Sequence, residues 1–338
     1  MHGAIYGRFR TLGTFAEIVR SRADDEHIGL RFGDESWTWA QVVQESADRA
    51  AALRRFGKPD GRPHIGVLLE NVPDYVFWIG AAALSGAVVV GINPTRRGEE
   101  MAHDIRHTDC DLIITEDRLA GLLEGLDHGV PADAVLNVDS AAYRSLVEEH
   151  RGAGLPDRLP PAEAILLLLF SSGSTGAPKA VICSQGRLGF LAETLAVRTE
   201  LTRDSVSYLC MPLFHGNSAM MNLAPATLTG ATVCLARKFS ASGFVRDVHR
   251  YGATFVTTSA GPCPTCWRSR RTSGTATAAC GSPSAPRRRR PTSRGSPPAS
   301  AAGSRRGTGS VRASCGSTGP RTARPTPWAC PWRAWTSA

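Results

Sequence analysis

Residues 170–181 read FSSGSTGAPKAV, a run of small and hydroxyl-bearing residues that directly follows the apolar stretch ILLLL at 165–169. Glycine lets backbone N–H groups approach a bound anion closely, because it has no side chain to keep the ligand away. The serines and the threonine add hydroxyl donors, and Lys179 adds a positive charge. A strand that leads into such a loop is a common arrangement for holding phosphates. The stretch therefore predicts a buried strand followed by a phosphate-binding loop.

Two well-known glycine-rich loops differ from this one. The P-loop of NTPases places Ser or Thr directly after its lysine, whereas Ala180 follows Lys179 here. The nucleophile elbow GxSxG is absent from the stretch, and Ser174 has no base near it in the sequence. Composition alone leaves a second interpretation open, in which the segment is a flexible surface turn.

Short apolar stretches alternate with amphipathic ones along the first 258 residues. This alternation is typical of mostly parallel sheets covered by helices on both faces, so we predict an α/β fold. The predicted strands are 64–69, 87–92, 111–115, 165–169, 205–211, 232–235 and 253–258. The predicted helices are 41–56, 71–85, 99–107, 188–198 and 242–251.

The most apolar stretch, VFWIGAAALSGAVVVGI at 76–92, is close to the minimum length of a membrane span. It contains Gly80, Gly86 and Gly91, and β-branched residues crowd its second half. A core helix followed by a buried strand explains it better, so we expect no transmembrane span. The N-terminal residues lack the uninterrupted apolar segment of a signal peptide. Four scattered cysteines in the first 258 residues also suit the cytoplasm, where thiols stay reduced.

The composition changes abruptly near residue 259. Residues 259–338 contain 14 Arg and one Val, but no Lys, Asp, Glu, His, Leu, Ile, Phe, Met, Tyr, Asn or Gln. Their charge of +14 exceeds the +9 of the whole chain, so residues 1–258 carry −5. A segment with so few aliphatic side chains cannot bury enough apolar area to offset the entropy of ordering it. We therefore predict a folded domain at 1–258 and a disordered tail, rich in Arg, Pro, Gly and Ser, at 259–338.

The tail also holds Cys263 and Cys266, which have the CxxC spacing of a redox or zinc site. A single pair, with no second pair and no histidine partner, does not suffice to predict either use.

The order of residues in FSSGSTGAPKAV resembles the phosphate-loop signature of the adenylate-forming, or AMP-binding, superfamily. Two further segments are similar to motifs of that family: Met211-Pro212-Leu213-Phe214-His215, and Gly91-Ile92-Asn93-Pro94. WTWAQVVQESADRAAALRRFG at 37–57 resembles its early strand–helix unit. Together these segments extend the resemblance over about Trp37 to Thr258. Within the family, the amino-acid sequence is most similar to those of actinobacterial fatty-acid–CoA ligases.

The resemblance implies that residues 1–258 are the N-terminal half of a large adenylating domain. Members convert ATP and a carboxylate, such as a fatty acid, into an acyl-adenylate and pyrophosphate, and most then transfer the acyl group to coenzyme A. Residues of the loop would hold the β- and γ-phosphates while Mg²⁺ balances their charge: Ser171, Ser172, Gly173, Ser174, Thr175, Gly176 and Lys179. His215 would line the acyl or adenylate site as a catalytic residue, although a structural histidine after a tight proline turn is the alternative. Another adenylate-forming activity also remains open.

Later motifs of the family are missing from the sequence. These include the aromatic-Gly-Ser-[ST]-Glu motif that stacks on adenine, and no lysine follows Lys238. If residues 313–323 are back-translated with GC-rich codons and read one base earlier, they give SVVREYGSSDG, which resembles that motif. The same offset turns residues 259–268 into VGRALSYVLA and residues 328–338 into GLPVAGVDV. We hypothesise that a one-base slip near Thr258 replaced the second half of a ligase, and we expect this chain to be inactive.

Two non-enzymatic interpretations compete with this hypothesis. The arginines of the tail, including Arg287–Arg290, would bind nucleic-acid backbones without sequence preference, and we expect no specific nucleic-acid partner. Alternatively, the chain binds a nucleotide without chemistry, although a truncated sheet would leave strand edges and apolar surface open.

Overall fold

The computed structural model of the chain describes residues 13–56, 62–171, 179–258 and 265–268. Packing divides the chain into two units, Met1–Ser282 and Pro283–Ala338, and every described residue belongs to the first. Within that unit the predicted α/β architecture, with largely parallel sheets covered by helices, is confirmed.

The bounds of the elements, in chain order, are as follows. The strands are β1 (Ile28–Phe32), β2 (Glu35–Thr38), β3 (His64–Leu68), β4 (Val88–Gly91), β5 (Leu112–Thr115), β6 (Val135–Asn137), β7 (Ile165–Ser171), β8 (Lys179–Ser184), β9 (Val206–Leu209), β10 (Thr232–Leu235), β11 (Phe255–Thr258) and β12 (Thr265–Arg268). The helices are α1 (Phe15–Arg20), α2 (Trp39–Ala52), α3 (Pro73–Ser85), α4 (Gly98–His107), α5 (Asp117–Ala120), α6 (Ala141–Glu149), α7 (Gln185–Arg198), α8 (Gly216–Ser218), α9 (Ala224–Thr229) and α10 (Phe244–Tyr251). Short 3₁₀ turns lie at Leu53–Arg55 and Ala132–Ala134, and Ala219–Leu223 forms a π-helical turn between α8 and α9.

The strands form two sheets of six. The first sheet has the order β6-β5-β3-β4-β7-β8, and its strands run parallel except for the antiparallel pair β7–β8. The second has the order β12-β11-β9-β10-β1-β2, with β11, β9, β10 and β1 parallel and an antiparallel strand at each edge. A hydrophobic core shared by both sheets and their helices includes the fully buried Trp39, Trp78 and Tyr75.

The apolar stretch at 76–92 forms a buried helix and a buried strand, as predicted. Pro73 suits the first turn of α3 because its missing N–H would have no helical partner there. Gly86, with φ of +82°, ends the helix in the left-handed conformation, and the four residues of β4 are all buried. Among the residues that the structure describes, no helix is both long enough and apolar enough to cross a bilayer.

Several element boundaries differ from the prediction because capping residues set them. The helix predicted at 41–56 begins at Trp39, since Thr38 accepts the N–H of Gln41 while the Gln41 side chain accepts the N–H of Thr38. The helix predicted at 188–198 begins at Gln185, because the Ser184 hydroxyl caps it.

Other elements were not predicted at all. These are α1, β1, α5, β6, α6, the edge strand β8, the helical segment from Gly216 to Thr229, and β12. The last pairs with β11 through its backbone, and backbone pairing does not require the aliphatic side chains that the segment lacks. Apart from this strand, the predicted disordered tail at 259–338 lies outside the described residues.

Candidate functional site

Two paired strands flank the predicted phosphate loop. Strands β7 and β8 pair antiparallel in a register that ends at Ser171 opposite Lys179. Directly opposed residues in an antiparallel ladder have Cα atoms about 4.5–5.5 Å apart. The remaining predicted phosphate ligands lie outside the described residues: Ser172, Gly173, Ser174, Thr175 and Gly176. The structure therefore places the base of the loop and both of its terminal residues.

Three segments identified in the sequence analysis come together beside the paired ends of β7 and β8. Gly91 ends β4 and lies opposite Leu169 of β7, two residues before Ser171. A Cβ atom on Gly91 would lie only 3.0 Å from Cα of Phe214 and 3.1 Å from Cδ2 of Leu169. The segment Met211–His215 thus crosses the carboxyl ends of β4 and β7, and only glycine at position 91 lets it pass so closely.

The buried side chain of Asn71 fixes the position of this crossing segment. Asn71 lies between β3 and α3 and is 2% exposed. Its Nδ2 donates to the carbonyl oxygens of Met211 (2.9 Å) and Ala236 (3.1 Å), and its Oδ1 accepts the N–H of Leu213 (2.8 Å). Its backbone N–H donates to the carbonyl of Arg237. One residue that follows β3 of the first sheet therefore holds the segments that follow β9 and β10 of the second.

A buried carboxylate forms a second contact between the loops of the two sheets. Glu116, which follows β5, accepts the backbone N–H of Glu70 at 2.6 Å and the Arg237 guanidinium at 2.5 Å. Its side chain is 3% exposed, whereas that of Arg237 is 32% exposed. The pair ties the carboxyl end of β5 to the segment after β10, so the loops around the site are braced by both sheets.

His215 occupies the end of the crossing segment and is exposed. Its Nδ1 accepts the backbone N–H of Asn217 at 3.2 Å, so it caps the short helix α8. An acceptor at Nδ1 leaves the proton of the neutral ring on Nε2. The capping bond supports the structural interpretation of this histidine, and the exposed ring remains compatible with a role toward a bound ligand.

The helical segment after His215 contains a π-helical turn that carries Asn222. This side chain is fully buried, accepts the Ser207 hydroxyl at 2.7 Å and donates to the Tyr208 carbonyl at 3.2 Å. Isolated π-helical turns are frequently found at functional sites. Sequence reasoning missed both Asn71 and Asn222, because their hydrogen-bond partners lie 14 or more positions away and no local pattern contains them.

The described residues offer neither a metal-binding cluster nor a reactive thiol beside the site. Within ranges 13–56, 62–171 and 179–258, no three His, Cys, Asp or Glu side chains come together to hold a metal ion. Cys210 directly precedes the crossing segment, but burial raises the pKa of its thiol to about 11. The CxxC pair falls on residues whose side chains are outside the described part.

Comparisons with known proteins agree with this arrangement. Residues 15–283 match the family described as AMP-binding enzyme. The chain is 51% identical over 249 residues to a steroid-22-oyl-CoA synthetase of Rhodococcus jostii, which covers 72% of this chain and 44% of that protein. It is 38% identical over 243 residues to the medium/long-chain-fatty-acid–CoA ligase FadD17 of Mycobacterium marinum, covering 72% and 47%.

A solved structure shows the same fold. The long-chain-fatty-acid–CoA ligase FadD1 of Archaeoglobus fulgidus superposes with a TM-score of 0.65 at 20% identity, covering 71% of this chain and 50% of that one. The chain thus spans about half the length of the relatives that it matches. The family match covers most of the residues of this chain. In the structure, the β7–β8 hairpin, Gly91 and the segment Met211–His215 meet at one place. This chain is therefore a member of the AMP-binding enzyme family.

Proposed function

We propose that this chain carries the ATP-polyphosphate-binding half of an acyl-CoA ligase. The observation that carries the proposal is the convergence of Gly91, Leu169 and Phe214 at the base of the serine-rich hairpin. It supports the proposal, because the strands that flank the predicted phosphate loop lie beside the segment that the family resemblance assigns to the acyl side. A phosphate site and a carboxylate site must adjoin for an acyl-adenylate to form.

The loop residues would act through charge and hydrogen bonding. Ser171, the loop hydroxyls and the loop N–H groups would donate to the β- and γ-phosphates, and Lys179 would offset their charge. Donors already aimed at a leaving pyrophosphate stabilise the charge that develops on it. Mg²⁺ would be held chiefly by the phosphates themselves, as it commonly is in nucleotide sites. His215, with its proton on Nε2, would donate toward the carboxylate or the adenylate.

The substrate would be a carboxylate that is activated for transfer to coenzyme A. A fatty acid is one candidate, because the medium/long-chain-fatty-acid–CoA ligase FadD17 is a relative. A steroid carboxylate is the other candidate, because the chain is 51% identical to the steroid-22-oyl-CoA synthetase and 38% identical to FadD17. The two candidates differ in shape, so a competition between them is informative.

We further propose that the chain alone binds nucleotide without turnover, in the cytoplasm and without a sequence-selective nucleic-acid partner. The sequence contains no aromatic-Gly-Ser-[ST]-Glu motif, and it matches about half of each relative. A back-translation of residues 313–323 with GC-rich codons, which reads SVVREYGSSDG one base earlier, supports a one-base slip as the origin of residues 259–338.

A pyrophosphate-release assay tests the proposal. This chain and a version with the frame restored by one base near codon 258 are each incubated with ATP, Mg²⁺, coenzyme A and either a long-chain fatty acid or a steroid-22-oic acid. We expect release only from the restored protein, and faster release with the preferred carboxylate. Absence of release from a folded, restored protein with every carboxylate would overturn the assignment.

A further inference from the structure

Helix α4 carries two histidines one turn apart on its solvent-exposed side. His103 and His107 are both exposed, and their rings stack with centroids 5.7 Å apart and planes inclined by 12°. Residues four positions apart on a helix lie one above the other on the same face. Two imidazoles in this arrangement are close enough to bind one ion together after a rotation of the exposed rings.

The spacing of these residues matches a motif with a clear physical basis. Residues 103–107 read HDIRH, and the pattern His-Glu-x-x-His on a helix places two histidines on one face, where both bind zinc. Asp104 stands in the position of the glutamate, which serves as the general base in metalloproteases with that motif. Here its side chain is 3% exposed, and its Oδ2 lies 2.6 Å from Nε of Arg96. Because this carboxylate belongs to a buried ion pair, the spacing indicates metal binding without hydrolysis.

The electrostatics of this end of α4 favour a bound cation. His107 is the last residue of the helix, where the aligned peptide dipoles leave a partial negative charge. Glu100, whose side chain is 72% exposed, lies one turn before His103 and adds a carboxylate to the same side. The adjacent cation on the helix, Arg106, is paired with Glu99. A divalent ion between the two rings would therefore meet attraction from the helix end and from Glu100.

We propose that His103 and His107 chelate one divalent transition-metal ion, typified by Zn²⁺, on the exposed side of α4. Imidazole nitrogen suits Zn²⁺, Cu²⁺ and Ni²⁺, whereas Mg²⁺ prefers oxygen ligands. No third His, Cys, Asp or Glu of the described residues completes the site, so water fills the other positions of the ion. The bound ion links the last two turns of α4. The site uses none of the residues assigned to ATP and does not depend on the proposed function.

Histidine labelling with diethyl pyrocarbonate tests the proposal on the full chain, without nucleotide, during a titration with Zn²⁺. Trypsin cleaves after Arg106, so peptide mass spectrometry measures the labels on His103 and His107 in separate peptides, 98–106 and 107–118. We expect zinc to protect both rings over the same range of free zinc concentration, and Mg²⁺ to protect neither. His249 is the internal control, because it is exposed on α10 and no His, Cys, Asp or Glu lies three or four positions from it. Because the measurement is local, zinc bound by cysteines elsewhere does not imitate this result.

A variant distinguishes a chelate from binding by a single ring. His103→Gln should raise the free zinc concentration that half-protects His107 at least about tenfold, equivalent to about 1.4 kcal/mol. Both rings are exposed, so this variant should keep the urea midpoint of the metal-free native chain. His249→Gln is the matched control and should leave the protection of His107 unchanged. Equal labelling of His103 and His107 with and without zinc, undiminished protection of His107 in His103→Gln, or equal protection of His249 would overturn the proposal.

Discussion

Replacement of Asn71 by alanine should destabilise the domain more than an ordinary surface change. The side chain makes three hydrogen bonds, to Met211, Leu213 and Ala236, at 2.8–3.1 Å. A typical buried hydrogen bond contributes about 1 kcal/mol net, so the loss amounts to about 3 kcal/mol. For a domain of roughly 150–250 residues this corresponds to a fall of about 6–12 °C in Tm. The Met211 carbonyl keeps the Ser218 hydroxyl as a donor, which limits the loss.

Urea unfolding of the full chain, followed by tryptophan fluorescence, measures the effect. Asn93→Ala is the matched control, because Asn93 accepts bonds only within its own turn, from the backbone and side chain of Thr95. The control should cost less than about 1 kcal/mol. Asn71→Asp should be as harmful as Asn71→Ala near pH 7, since it keeps the acceptor for Leu213 but faces two carbonyl oxygens. A change below about 1 kcal/mol for Asn71→Ala would refute the argument that this residue joins the two sheets.

Three further perturbations test separate parts of the structure. Gly91→Ala should cost about 1–3 kcal/mol in urea unfolding, because the new methyl group meets the backbone of Phe214, whereas Gly154→Ala, with open space around it, should not. Burial alone would raise the pKa of the Asp25 carboxyl, but hydrogen bonds from two arginines hold that pKa below its usual value. The stability that the native chain has over Asp25→Asn should therefore be constant above about pH 5 and shrink as the pH falls below about 4, and a constant difference down to pH 2 would contradict this. Burial raises the pKa of Cys183 to about 12, so iodoacetamide at pH 8 should modify it only in urea, as peptide mass spectrometry would show.

Local sequence patterns predicted much of the fold. The strand at Thr232–Leu235 has the predicted bounds, and the helix and strand within 73–91 were predicted from an apolar stretch that contains glycines and is rich in β-branched residues in its second half. Helix α1 was missed although it carries a recognisable signal, Thr14 with Glu17 three residues later, which form a capping box.

Other features depend on tertiary contacts that no local pattern contains. Asn71 finds its partners 140 to 165 positions away, so its sequence context shows only a polar residue before a helix. The helical segment from Gly216 to Thr229 contains Pro225 and many small residues, which weaken its helical pattern, and burial against the core compensates for this. The candidate site likewise combines a feature that the sequence predicted with one that depends on tertiary contacts. The phosphate-loop motif was evident from its order of residues, whereas the close passage of Phe214 past Gly91 emerged only from the packing of two sheets.

The central claim is that the hairpin turn between Ser171 and Lys179 binds the polyphosphate of ATP. Calorimetric titration of the full chain with ATP and Mg²⁺ tests it most directly, because binding is measured whether or not turnover occurs. Lys179→Met should weaken binding about tenfold, equivalent to about 1.4 kcal/mol. Lys238→Met removes the same charge from an exposed position after β10 and should leave the Kd unchanged. Equal affinities for the native chain and both variants, or no binding of ATP by a folded chain, would contradict the account.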